Sequence, residues 1–217
     1  MAGKGPNGEN SRLRQDDGSI VIVIEPEQLA STDSARSPHD EIVYVADGDL
    51  GKGLFAKRRI QCGELIHVFK GQIIGFKEAV SKGDKECYPL QIAHGKYIDL
   101  LEPGCYANHS CQPNAGVRDL GDGRTVQLVA IKDIPEGTEI RYDYSTTMDE
   151  DYFTMPCLCG APPPTCRKWV TDFKLLPERV REEYLSMGIV MEFIARQYTK
   201  GYAKPREDHV PVTSLKQ

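Results

Sequence analysis

Apolar positions along this chain fall into short runs punctuated by glycine, a pattern that predicts strands over most of its length. Ile42-Val43-Tyr44-Val45 reads as a strand closing on the turn-forming Asp47-Gly48-Asp49, and Gly51 to Ala56 follows it. Ile60 precedes a turn at Cys62-Gly63-Glu64, after which Leu65 to Phe69 and Gln72 to Phe76 alternate enough for two more strands. Leu90 to Ala93 and Tyr97 to Leu100 form a hairpin around His94-Gly95-Lys96. Thr125 to Ile131 is a further strand, and Pro135-Glu136-Gly137 turns the chain into a last one, Glu139 to Tyr144. Many short strands with glycine turns predict a mostly β (α+β) domain.

The period changes near the end. Val180, Tyr184, Met187, Met191, Ile194 and Tyr198 recur every three or four residues, which predicts an amphipathic helix over Glu178 to Tyr198, broken near Gly188. Pro177 suits its first turn. Ahead of the strand-rich region, a polar start is followed by one apolar strand, Ile20 to Ile24, which can add to the main sheet. A Ser/Asp/Pro-containing linker follows from Ser31 to His39. The expected organisation is a flexible N-terminal segment over 1–40 and a main domain over 41–147. A cysteine-bearing loop covers 148–170, a helical segment 171–200 and a loose tail 201–217.

Composition narrows the class. With 40% hydrophobic and 27% charged residues the chain is an ordinary globular protein, and its longest apolar run, Ile20 to Ile24, is too short to span a bilayer. The polar start lacks the apolar core of a signal peptide, so an intracellular setting is expected, nucleus or cytoplasm. A net charge of −5, with Lys57-Arg58-Arg59 as the one basic run that stands out, argues against direct nucleic-acid binding. It is compatible with a basic peptide partner. Oligomeric state is not legible.

Seven cysteines, an odd number, argue against a full disulfide framework. Cys157-Leu158-Cys159, with Cys166 beyond a loop containing Pro162-Pro163-Pro164, can wrap one side of a metal ion. Three ordinary cysteines in a stiff loop fit the same spacing. A closed zinc site needs a fourth ligand from elsewhere in the chain, and spacing alone does not find it. Cys62, Cys87 and Cys105 read as packed or partly exposed thiols.

Ordered blocks then carry a resemblance. Asp49 to Ala56 holds Gly51-Lys52-Gly53, and Ile60-Gln61-Cys62-Gly63-Glu64-Leu65-Ile66 follows. Asn108-His109-Ser110-Cys111-Gln112-Pro113-Asn114 and Ile134 to Tyr144, ending Arg141-Tyr142-Asp143-Tyr144, come later in that order. Over Glu41 to Arg167 the chain resembles SET-domain protein-lysine methyltransferases, and its cysteine run resembles their post-SET zinc loop. The resemblance implies a SET fold of short sheets with a C-terminal pseudoknot. It also implies transfer of a methyl group from S-adenosylmethionine (SAM) to a lysine of a protein, a histone tail first among substrates.

It implies roles as well. Tyr144 matches the catalytic tyrosine, Tyr142 a Phe/Tyr position that limits methylation, and Tyr106 a wall of the lysine channel. Lys52, Gly53, Leu54, Tyr88, Asn108 and His109 match SAM-binding positions. Cys111 joins Cys157, Cys159 and Cys166 as the zinc ligands. Cys105 stands where an arginine is usual, and the loop between Cys159 and Cys166 is longer than usual. Trp169 and Phe173 either cover the adenine or the channel, or pack the C-terminal helix. The rival readings are a catalytically silent SET module that binds a peptide or partner, and a zinc-dependent interaction protein.

Overall fold

The computed structural model describes residues 12–14, 20–22, 42–83 and 88–198. The chain divides into two units, Met1–Arg36 and Ser37–Gln217. In the first, β1 (Arg12–Arg14) pairs antiparallel with β2 (Ile20–Ile22). The expected strand at Ile20 to Ile24 is thus present through Ile22, with β1 as its partner; Val23 and Ile24 lie outside the described residues.

The second unit is built of small sheets. β3 (Val43–Gly48) and β4 (Gly51–Ala56) form an antiparallel hairpin. β5 (Leu65–Val68) is an edge of one three-stranded sheet and β6 (Gly71–Gly75) of another. A short helix, α1 (Phe76–Val80), follows β6, so Phe76 starts a helix rather than ending a strand. β7 (Pro89–Ala93) and β8 (Lys96–Leu100) form the expected hairpin, with β8 between β6 and β7.

β9 (Asn108–His109) is followed by β10 (Ala115–Asp119), whose two apolar partners on either side of a glycine are too few to signal a strand. β11 (Val126–Ala130) lies between β10 and β5. β12 (Arg141–Tyr142) is much shorter than the strand expected over Glu139 to Tyr144. Asp143 ends it, because its side chain accepts the Ser145 N–H and starts a 3-10 turn over Tyr144–Thr147.

β12 runs parallel to β9. The Asn114 side chain clamps this crossing, accepting the Arg141 N–H at 2.8 Å and donating to the Glu139 carbonyl at 2.7 Å. This is the pseudoknot, and it brings the two diagnostic blocks side by side. β13 (Met155–Pro156) pairs with β14 (Trp169–Val170), closing the base of the cysteine loop.

The C-terminal helix is two helices, α2 (Glu178–Met187) and α3 (Glu192–Tyr198). Gly188 separates them at φ 64°, a left-handed conformation that costs glycine little and ends α2. Ile189, Met191 and Ile194 then turn into the main core beside Leu54, Ile60, Leu128 and Ile140. Each such side chain contributes about 1.5–3 kcal/mol of burial. Phe173 is fully buried there while Trp169 is exposed, so the pair expected to act together is divided.

Candidate active site and cysteine cluster

Two cavities share Tyr144 as a wall. On one side lies a cleft of about 720 Å³, bordered by Lys52, Tyr88, Tyr106, Asn108, His109 and Tyr144. Its size suits a small organic ligand. On the other side a narrow cavity is lined by Leu90, Gln91, Tyr97, Tyr142, Tyr144 and Glu150. The 3-10 turn after β12 is what stands Tyr144 between them. Its hydroxyl donates to the Ala107 carbonyl at 3.1 Å, and its N–H donates to His109 Nδ1 at 3.2 Å. Its ring lies 4.9 Å from that of Tyr142.

That N–H contact makes Nδ1 of His109 an acceptor, so the ring proton sits on Nε2, 3.4 Å from Cys111 Sγ. Burial lowers the His109 pKa to about 4, outweighing the nearby Asp143 carboxylate, and the ring is neutral. One imidazole therefore links the cleft, the tyrosine backbone and the cysteine cluster.

Asn108 is fixed by two contacts of its amide nitrogen, to the Lys52 carbonyl at 3.0 Å and to Glu139 Oε1 at 2.8 Å. Glu139 is paired in turn with Arg141, which donates to the Cys159 carbonyl at 3.1 Å. Gly53 is explained by this network. A Cβ there would lie 2.7 Å from Glu139 Oε1, so the glycine makes room for the carboxylate that holds Asn108. Gly53 and Leu54 do not line the cleft, and the Leu54 side chain is fully buried in the core. Lys52 does line it, with Nζ 5.2 Å above the Tyr106 ring.

Tyr106 lines the cleft with Lys52 and Asn108 and is not among the residues lining the narrow cavity. A hydrogen bond to Glu102 is the main cause pushing its hydroxyl up to about 12. Tyr88 meets Tyr106 edge to face in the same cleft. Met155 and Leu158 border the cleft where Trp169 was one candidate to do so.

The sulfur atoms of Cys111, Cys157, Cys159 and Cys166 all lie within 4.8 Å of one another, and Cys111 and Cys157 are 3.6 Å apart. Tetrahedral zinc with bonds of about 2.3 Å separates its sulfurs by about 3.8 Å, so the donor set fits that ion. Burial pushes the Cys111 thiol up to about 11 and the Cys157 thiol higher still, so a cation is what would favour their thiolates. The group is compatible with a post-SET zinc site. Cys62 and Cys105 are half-buried and Cys87 lies outside the described residues.

Residues 51–145 match the family model described as SET domain. This segment is a SET domain. Curated relatives agree. The SET-containing part is 31% identical over 141 residues to the histone-lysine N-methyltransferase trr of Drosophila melanogaster, covering 59% of this chain and 6% of that one. A Schizosaccharomyces pombe histone-lysine N-methyltransferase, H3 lysine-4 specific, is 33% identical over 130 residues, 54% of this chain and 14% of its own. An Eremothecium gossypii one, H3 lysine-36 specific, is 34% identical over 140 residues, 58% and 20%. The matched part of this chain thus spans a fifth or less of each of these relatives.

Glu139, Arg141 and Gln91 were not singled out by the sequence as site residues, nor were Asp143, Arg167 and Tyr184. Asp143 carried one signal, its place in the Tyr-Asp-Tyr block. Its partners come from α2 and the cysteine loop, which no spacing rule connects.

Proposed function

We propose that this protein transfers a methyl group from SAM to a lysine side chain of a protein, a histone tail being the favoured substrate and the nucleus the corresponding setting. The observation that carries this reading is Tyr144 as the shared wall of a ligand-sized cleft and a narrow aromatic cavity. That arrangement lets a cofactor and a lysine approach from opposite sides. The relatives' names, which include H3 lysine-4 and H3 lysine-36 specificity, favour a histone.

SAM, when bound, supplies a methyl group on a positively charged sulfur. Lys52, Asn108 and His109 would hold it in the cleft, with Asn108 and its carboxylate partner Glu139 oriented before any ligand arrives. The target amine must be neutral to attack, although a free lysine has a pKa of about 10.4. The rings of Tyr142 and Tyr144 strip water from it and favour the neutral form. Tyr144, held at both its N–H and its hydroxyl, orients the amine lone pair, so that alignment rather than a strong base does the catalysis. Tyr142 restricts the room left for further methyl groups. Zinc on the four cysteines would staple the cysteine loop to the segment that follows β9.

The test is incubation with methyl-labelled SAM and mixed histones. Label on histone lysine is expected; SAM binding without transfer would overturn the enzymatic reading in favour of a silent SET module.

A further inference from the structure

The narrow cavity is lined by polar groups that the proposed reaction does not use, Gln91 and Tyr97 among them. Gln91 on β7 and Tyr97 on β8 are directly opposed in the antiparallel register, so their side chains rise from the same face of the sheet. Both line the cavity beside Tyr142 and Tyr144. Both are almost fully buried, at 3% and 4% exposure. The Gln91 amide is oriented, because its Oε1 accepts the Asp149 N–H at 2.9 Å, which leaves Nε2 as its free end. Neither Gln91 Nε2 nor Tyr97 Oη has a hydrogen-bond partner among the described residues.

Such groups are costly to leave unmatched, because a buried donor without an acceptor has lost its hydration and gained nothing in return. Two of them side by side, next to the tyrosines, indicate a site whose partner arrives from outside. We propose that Gln91 and Tyr97 form a polar subsite of the substrate channel, taking the hydroxyl of a serine or threonine that flanks the target lysine. This rests on the methyltransferase reading of Tyr144. The choice of hydroxyl follows from chemistry in the wall. The two N–H bonds of Gln91 and the Tyr97 hydroxyl call for an acceptor. Glu150 lines the same cavity with a carboxylate, which repels an acidic side chain but accepts the proton of a hydroxyl.

The experiment is a positional scan of lysine peptides carrying Ser, Thr, Val, Ala or Asp at each flanking position, with the wild-type chain, Gln91→Met and Tyr97→Phe. Methyl transfer and peptide binding are both read. At one flanking position the wild type is expected to prefer Ser or Thr over Val by about 5-fold in kcat/KM, the worth of one net hydrogen bond. In both variants that ratio falls to within about twofold of unity. A wild-type scan with no hydroxyl preference overturns the subsite, as does a preference that both variants keep. In either case the two groups serve buried water alone. Total transfer reports separately on the enzymatic reading. If no peptide is methylated, the same ratios read from binding still decide the subsite. Should Gln91→Met fail to fold, Tyr97→Phe removes a single oxygen and answers the question by itself.

Discussion

The Asp143 carboxylate lies 2.7 Å from the Arg167 guanidinium, both withdrawn from water, and this contact ties the cysteine loop to the residue between Tyr142 and Tyr144. Tyr184 of α2 adds its hydroxyl to the same carboxylate at 3.1 Å. Three segments distant in sequence therefore converge on one buried charge. Arg167→Met leaves that charge short of its main partner, and a loss of about 3–5 kcal/mol in unfolding free energy is expected. Asp143→Asn combined with Arg167→Met should cost less than the two single changes added, by about 1–3 kcal/mol. Denaturant unfolding of the four proteins measures this, and strictly additive losses would show that the pair is not coupled.

Tyr144→Phe keeps the ring that separates the cavities and removes the hydroxyl held on Ala107. Methyl transfer is expected to fall about 100-fold or more, the usual worth of a positioned catalytic group. SAM affinity, measured by calorimetry, stays within a few-fold. Unchanged single-turnover rates would remove Tyr144 from the reaction.

Tyr142→Phe opens space next to the amine by deleting one buried hydroxyl. Peptide mass spectrometry should show a higher methylation state as the product. An unaltered distribution of mono-, di- and trimethylated peptide would mean that some other group limits the reaction.

Gly53→Ala tests the link from backbone to cleft. The added methyl lies 2.7 Å from Glu139 Oε1, so the carboxylate must move and Asn108 loses one of its two anchors. A stability loss of about 1–3 kcal/mol is expected from the overpacking alone, with weaker SAM binding beside it. Normal melting and normal affinity together would contradict this account of the glycine.

Cys157→Ser removes one of four sulfurs. Zinc per chain, read by elemental analysis, should fall well below one, and melting should occur at a lower temperature because structural zinc contributes directly to folding. A chelator should have the same effect on the wild-type chain. Full zinc retention in the variant would take Cys157 out of the ligand set.

Local signals in the chain decided a good deal. The hairpin over Pro89–Ala93 and Lys96–Leu100, the break at Gly188 and the two diagnostic blocks are written in contiguous residues. Their cause is short-range: turn conformations, side-chain alternation and helical spacing act over a few residues. The cysteine run Cys157, Cys159 and Cys166 was legible in the same way, as one side of a metal site.

What tertiary structure alone decided is which distant groups meet. Spacing left Cys111 unconnected until the pseudoknot carried β9 to the cysteine loop and brought the four sulfurs within 4.8 Å. That Glu139 arrives across the fold to occupy the open side of Gly53 is visible only in the tertiary structure. That Tyr106 lines the same cleft as Lys52 is likewise decided by the fold. The physical reason is common to all of these. A buried charge, a thiol or a missing Cβ is matched by whatever residue the fold delivers, and that partner leaves no periodic trace in the chain. The chemistry of this domain is therefore readable in its blocks, while the wiring among Asp143, Arg167, His109 and the sulfur cluster belongs to the knot.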